Sequence, residues 1–262
     1  MSAAHSLDRS LRIAMRAAVA AGDILRRGMS ASDKAPRAKA GPNDPVTVYD
    51  QRAERAIADI LGAEHPDDAI LSEESIEAEG VSGRCWVIDP LDGTHNFLAG
   101  IPHFAVSIAL AVDEQPILGC VHDPIRGETY TALRGRGAFL NGRPIHASAR
   151  AAVDGAVVAV GLSHDPDRRA EVLARIPTLA RRAGVLRTLG SAALDLSYVA
   201  GGRVDATWYL SLHRWDVAAG TVLVEEAGGR MTGLDGEPLR DPRDGVVASN
   251  GQIHERFLDA LA

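Results

Sequence analysis

Leu7, Leu11, Ala14, Met15, Ala18, Val19, Gly22 and Leu25 recur three to four positions apart, the period of an amphipathic helix, and the spacing predicts its end near Arg27-Gly28. A polar stretch over 30–45, basic at Lys34, Arg37 and Lys39, reads as a mobile loop. A second helix is expected from Thr47 through Leu61, ending before His65-Pro66 because a residue ahead of proline is pushed out of the helical region. The texture then changes to short β-prone runs at 69–71, 85–88, 105–112, 117–121 and 128–133, punctuated by Gly and Pro. The second half alternates. Strands are expected at 156–160, 185–189, 204–210 and 245–248. Helices are expected at 167–183, which Pro177 should break or kink, and at 192–199, 216–227 and 252–261. Such alternation implies layered α/β packing. With no repeat, low-complexity tract or long linker, the chain reads as a single domain, 1–262, of two lobes (about 1–147 and 154–262).

Composition sharpens this picture. The 262 residues are 46% hydrophobic and only 4% aromatic, so a sizeable core must come from Ala, Val, Leu and Ile. Asp and Glu number 35 against 28 Lys and Arg, a net charge of −7, which argues against non-specific nucleic-acid or anionic-membrane binding. An anionic substrate would need cations that the chain does not itself supply. Cys85 and Cys120 are too few for a disulfide framework or a four-ligand zinc site and read as small buried hydrophobes. The first thirty residues carry evenly spread arginines with no unbroken apolar segment, unlike a signal peptide. The longest apolar run, 104–112, is far short of the ~20 residues of a membrane span, so a cytoplasmic protein is expected.

Four acids stand where apolar runs end or helices begin: Glu73, Asp89, Asp92 and Asp216. A Glu-Glu pair alone is usually a solvated face, and a lone acid opening a helix is usually a dipole-favoured cap. The segment from Asp89 to Thr94 is less ordinary, a buried strand running straight into two acids, a glycine and a threonine. If the four acids converge, their repulsion calls for hard divalent cations, Mg²⁺ or Mn²⁺, which would also supply the positive charge for a phosphate. Two chemistries could use such a segment. In the haloacid dehalogenase superfamily an aspartate nucleophile is followed two residues later by an acid-base aspartate, whereas Asp89 and Asp92 are three apart. In the other, metals activate water for direct attack on phosphorus.

Asp89-Pro-Leu-Asp-Gly-Thr-His-Asn-Phe resembles the first signature of the inositol monophosphatase family, and Trp215-Asp-Val-Ala-Ala-Gly with Glu226-Ala-Gly-Gly resembles its second. Asp44-Pro-Val-Thr-Val-Tyr-Asp and Ser72-Glu-Glu-Ser are similar to its two upstream segments, and the resemblance runs in order from Lys39 to Asn250. It implies an α-β-α-β-α five-layer sandwich of the inositol monophosphatase / fructose-1,6-bisphosphatase type, a lithium-sensitive phosphomonoesterase, and a homodimer. It implies two or three Mg²⁺ held by Glu73, Asp89, Asp92, Asp216 and the Leu91 carbonyl, Mn²⁺ being possible. It makes Thr94 and Asp50 the pair that orients the water, with Glu73 beside them, and assigns the phosphate to Gly93 and Thr94. Lys39 matches a loop lysine near the metals. Asp92, Asp216, Ser191, Ala192 and Tyr209 fall on the substrate-binding side, with Gly190 next to them.

One departure bears on substrate. Tyr209 stands where inositol-phosphate-cleaving members carry a glutamate for the ring hydroxyls, and a phenol cannot make a charged contact with two hydroxyls. His95, His213 and Arg214 are further candidates for leaving-group contacts. The resulting expectation is hydrolysis of a small phosphorylated metabolite, inositol monophosphate-like. Histidinol phosphate, a sugar bisphosphate or a 3′-nucleotide are the alternatives within the family. A binding or regulatory protein that kept the fold is the alternative of another class.

Overall fold

In a computed structural model that describes residues 3–31, 34–38 and 45–261, the chain opens with α1 (Ala3–Met29) and an antiparallel pair, β1 (Arg37–Ala38) and β2 (Pro45–Val46). There follow α2 (Val48–Glu64), β3 (Ala69–Ser72), β4 (Glu77–Ala78), β5 (Arg84–Asp92) and a short α3 (Thr94–Ala99). An antiparallel run comes next: β6 (Ala105–Val112), β7 (Gln115–Asp123), β8 (Glu128–Leu133), β9 (Ala138–Leu140) and β10 (Arg143–Ile145). The remainder is β11 (Val157–Val160), α4 (Pro166–Arg182), β12 (Val185–Arg187), α5 (Ala192–Ala200), β13 (Ala206–Tyr209) and α6 (Arg214–Glu226). It ends with β14 (Arg230–Thr232), β15 (Val246–Ser249) and α7 (His254–Leu261).

Two mixed sheets result, ordered β10-β9-β8-β7-β6-β5-β3-β4 and β12-β11-β13-β15-β14. Alternation along the strands divides the first sheet cleanly. Trp86, Ile88, Val106, Ile108 and Cys120 face α1 and α2, which bring Ile13, Ala17, Leu25, Ile57 and Leu61. Val87, Ala105, Ala109 and Val121 face the other way, into a core shared with α5 and α6 and with Val246 and Ala248 of the second sheet. Val158, Trp208 and Val247 line the far side of that sheet, under α4 and α7. The order is α-β-α-β-α, the five-layer sandwich expected. The central helices can lie this close because their contacts are small. A Cβ on Gly119 would overlap the Ala219 carbonyl, and one on Gly220 would overlap Leu196. An alanine-rich, aromatic-poor core is the compositional trace of that packing.

Several expectations need correction. Part of the stretch read as a loop, Arg37–Ala38 with Pro45–Val46, is paired strand, whereas Lys39 and Asp44 lie outside the described residues. α4 runs through Pro177 as one helix; the proline sits on the exposed side, and the carbonyl it deprives of a partner belongs to Leu173, itself an exposed residue. α6 begins at Arg214, so Asp216 is its third residue and not its first. β4, β9, β10 and β14, two or three residues each, were too short for periodicity to reveal. Burial pushes the Cys120 thiol up to about 12, which keeps it the small hydrophobe it was read as. No described helix is long and apolar enough to cross a membrane.

Candidate active site

A spacing of three sends two side chains to opposite faces of a regular strand. β5 avoids this with a bulge: its register with β6 steps from Asp89↔Ser107 to Asp92↔Ala105, three residues opposite two. Pro90, lacking an amide hydrogen, sits in the irregularity, and the Leu91 amide donates to Asp89 Oδ1 at 2.9 Å. Gly93 follows at φ 97°, left-handed backbone that favours glycine, and a Cβ there would stand 3.1 Å from the Gly190 carbonyl oxygen. Asp216 arrives from the first turn of α6, its Oδ2 accepting the His213 amide at 2.6 Å. Asp89, Asp92 and Asp216 thereby each offer an oxygen within 4.8 Å of the others.

Glu73 joins them from beyond β3. Its amide donates to the Ile88 carbonyl at 3.1 Å, and its charge acts on Asp89. The turn after it is held by a residue the sequence reading missed. Buried Glu54 accepts from the Ser75 amide (2.9 Å), the Ser75 hydroxyl (3.0 Å) and the Ile76 amide (3.1 Å). Four residues earlier on the same helix face is Asp50. Thr47 caps α2 and donates to Asp50 Oδ2 through its amide (2.9 Å) and its hydroxyl. Asp50 Oδ1 is left facing Thr94, whose hydroxyl lies 3.2 Å from it and 3.1 Å from the Leu91 carbonyl. The i, i+4 acids Asp50 and Glu54, set among Ala53 and Ile57, were a readable sign of an acid-bearing inner face.

The electrostatics are those of crowded, dehydrated carboxylates. Burial, then the charges of Glu73, Asp92 and Asp216, push Asp89 well above the usual carboxylate range. Burial raises Asp92 against the opposing pull of Ser191, Ala193 and Ala192, which all donate to it: the Ser191 hydroxyl, the Ala192 amide at 3.2 Å and the Ala193 amide at 2.9 Å. Asp92 thus satisfies the N-terminus of α5 and ties the second sheet's layer to the first. Burial raises Asp50 to about 6 despite its bonds from Thr47. Without a cation this cluster favours protons. An oxygen-only donor set with that preference is a fit for a hard divalent cation.

At the start of α5, Ser191 and Ala192 are buried and aim their donors at Asp92. Asn96 Nδ2 donates to the His103 and Leu189 carbonyls, both at 2.8 Å, and so pins the 189–190 loop, with Gly190 left-handed at φ 82°, to α3. Exposed His95 stacks on His164, ring centres 4.9 Å apart. Tyr209 is buried and donates its hydroxyl to Asp195, an acid the sequence reading passed over. His213 and Arg214 line a different cavity of about 510 Å³, where Arg214 lies 3.6 Å from Glu114.

A layered α/β sandwich with an acidic cluster beside a threonine–aspartate pair has the makings of a metal-dependent hydrolase site. The profile of the inositol monophosphatase family matches residues 6–262, and the chain belongs to that family. It is 40% identical over 250 residues to Nus factor SuhB of Escherichia coli K12, covering 95% of this chain and 94% of that protein. Among solved structures, extragenic suppressor protein suhB from Bartonella henselae superposes with a TM-score of 0.92 at 38% identity, over 97% of this chain and 98% of that one. An inositol monophosphatase from Anabaena (Nostoc) sp. PCC 7120 superposes with a TM-score of 0.86 at 36% identity, over 98% and 96%.

Proposed function

We propose that this chain is a Mg²⁺-dependent phosphomonoesterase that hydrolyses a small phosphorylated metabolite by attack of water on phosphorus. The observation that carries the reading is the acidic cluster lying beside a Thr94 hydroxyl already within hydrogen-bond reach of Asp50. Glu73, Asp89, Asp92, Asp216 and the Leu91 carbonyl would hold two or three Mg²⁺, or Mn²⁺, on oxygen donors alone. When bound, the ions supply the positive charge opposite the phosphate and the acidity that makes water a nucleophile near neutral pH.

The chain's own groups do the aiming. The Thr94 hydroxyl donates its one hydrogen bond toward Asp50 or the Leu91 carbonyl, and either leaves the threonine oxygen free to accept a hydrogen bond from water. Asp50, ionised above about pH 6, keeps that polarity fixed. The first amides of α3, around Gly93 and Thr94, have no helical carbonyl to meet and are donors for phosphate oxygens. Asp92 holds Ser191 and Ala192 at the edge of the leaving-group side. Family membership supports a cytoplasmic homodimer that Li⁺ inhibits, and Tyr209 in place of a glutamate argues for a leaving group other than inositol.

A second reading has a specific observation behind it. The Escherichia coli relative is named a Nus factor and not a phosphatase, so a non-catalytic role on the retained fold is the competing account. Phosphate release from a panel decides between them: an aryl phosphate, inositol 1-phosphate, histidinol phosphate, sugar phosphates and bisphosphates, glycerol 2-phosphate and nucleotides, with Mg²⁺ and with chelator. Metal-dependent release from at least one ester is expected. None from any would favour the non-catalytic role.

A further inference from the structure

The cavity of about 510 Å³ beside α6 is separate from the acidic cluster: none of Asp89, Asp92, Thr94 and Asp216 lines it. Three loops meet over it. One is the β6–β7 turn, where Glu114 is left-handed at φ 65°. The second is the lead into α6, where Ser211 is left-handed at φ 66° and beyond which His213, Arg214 and Trp215 reach the wall. The third, residues 238–243, is tied to that lead by the Leu212 amide, which donates to the Pro242 carbonyl at 3.2 Å. The size is that of a small-ligand site.

The walls divide by chemistry. The floor is apolar, from Val87, Ala111 and Met231 of the central core. On the side of α6 the His213 and Trp215 rings stack 4.8 Å apart and only 9° from parallel, and His213 is exposed, so the stack presents a flat aromatic surface. The rim is cationic, in a chain whose net charge is −7. Arg134 and Arg243 are matched there by Glu225 and Asp241. Arg240 and Arg214 are not. Arg240 has no ion pair or hydrogen bond among the described residues. Arg214 faces Glu114, which is 82% exposed and 3.6 Å away, too far for a hydrogen bond. Exposed pairs of that kind are weak, and a guanidinium favours a carboxylate or phosphate that can meet its fork. A bare anion would leave the apolar floor uncovered, and a neutral apolar molecule would leave both arginines unmet.

We propose that this cavity is a second, non-catalytic ligand site that takes a small organic acid, its carboxylate or phosphate group on Arg240 and Arg214 and its apolar body on the floor and the His213–Trp215 stack. The competing account is a water-filled crevice whose arginines serve only solubility.

The site makes no use of Mg²⁺, so calorimetric titration in chelator tests it apart from the phosphatase reading, and there the crowded acids of the catalytic cluster repel anions. The probes are 3-phenylpropionate and 2-phenylethylphosphonate, the phosphonate standing for a phosphate that cannot be hydrolysed. Acetate serves for the anion alone and 3-phenylpropanol for the apolar body alone. At least one acid should bind about tenfold or more tighter than acetate and than the alcohol, and the better of the two identifies the acidic group. Arg240→Gln should weaken that acid about fivefold or more, whereas Glu114→Gln, which releases Arg214, should tighten it about twofold or more. Both positions are exposed and outside the catalytic cluster, so both variants should fold. No saturable binding of either acid, acetate or the alcohol bound as tightly, or an affinity that Arg240→Gln leaves unchanged or Glu114→Gln lowers would overturn the proposal.

Discussion

Replacing Asp92 with asparagine should remove most of the stability that Mg²⁺ adds. The carboxylate has an oxygen within 4.8 Å of oxygens of Asp89 and Asp216. Two ionised carboxylates at that separation repel by about 3.5 kcal/mol at an effective dielectric constant of ~20. Burial first, with the charge of Glu73 and against the bonds from Ser191, Ala193 and Ala192, raises Asp92 from 3.8 to about 6. At roughly 1.4 kcal/mol per pKa unit, ionised Asp92 costs the metal-free fold up to about 3 kcal/mol at neutral pH. Asparagine drops the charge but has one oxygen, whereas the Ala192 amide meets Oδ1 and the Ala193 amide and Ser191 hydroxyl meet Oδ2, so at least one donor loses its acceptor at a cost of about 1–3 kcal/mol. In chelator the loss of charge therefore outweighs or merely offsets the lost bond, and the variant should melt about 0–8 °C above the wild type at roughly 2–4 °C per kcal/mol. With Mg²⁺ at about 100 times its Kd, the wild type gains roughly 2.7 kcal/mol, and the variant forfeits most of that. Its kcat should fall more than tenfold, about 1.4 kcal/mol of barrier. Scanning calorimetry in chelator and in Mg²⁺, beside turnover, reads all three. A variant that melts well below wild type in chelator, takes the full Mg²⁺ shift, or keeps over a tenth of kcat refutes the reasoning.

Other outcomes follow from single residues. Because burial raises Asp50 to about 6 and the reading needs it ionised, kcat/KM at fixed saturating Mg²⁺ should fall as pH drops through about 6. A pH–rate profile flat down to pH 5 would remove Asp50 from that role. Burial lowers His254 from 6.5 to about 4, its ring nitrogens each 2.9 Å from a hydroxyl oxygen, of Thr232 and of Ser249. The unfolded chain takes up that proton first, so the stability it contributes is complete above pH 6.5 and is lost as pH falls toward 4, by up to about 3 kcal/mol. Urea unfolding should show His254→Asn losing less stability than wild type over that interval. Gly93→Ala forces an L side chain into left-handed backbone against the Gly190 carbonyl and should cost about 1–3 kcal/mol in urea unfolding, with a loss of rate as Thr94 shifts. An alanine variant as stable and active as wild type would contradict the strain argument.

The sequence showed the acids but not what aims them. Asp89, Asp92 and Asp216 could be singled out because carboxylates after apolar runs are unusual, and their convergence in space is the structure's addition. The bulge that turns Asp92 to the side of Asp89 left only a proline as its sign, and a proline also marks an ordinary turn. Layered α/β packing followed from apolar periodicity because the long helices and the strands from β5 to β8 are long enough to show it, whereas the five-layer order came only from the family resemblance. Edge strands of two or three residues have no period to read, and their pairing depends on neighbours distant in sequence. Asp195 was legible in principle. An acid inside Ala-Ala-Leu-Asp-Leu-Ser-Tyr-Val-Ala interrupts a run otherwise fit for complete burial, but its partner Tyr209 lies fourteen residues on, across a turn.

Activation by Mg²⁺ of wild type beside Thr94→Ala tests the central claim most directly. Phosphate release from an aryl phosphate is followed as Mg²⁺ rises from zero, and thermal melting of both proteins reports binding of the ion. The account predicts that release by the wild type climbs saturably from none and returns to none on chelation. It predicts that Thr94→Ala gains the same Mg²⁺-dependent rise in Tm yet turns over at least a hundredfold more slowly, about 2.7 kcal/mol of barrier. Release that ignores Mg²⁺, or a Thr94→Ala variant as fast as wild type, would contradict it.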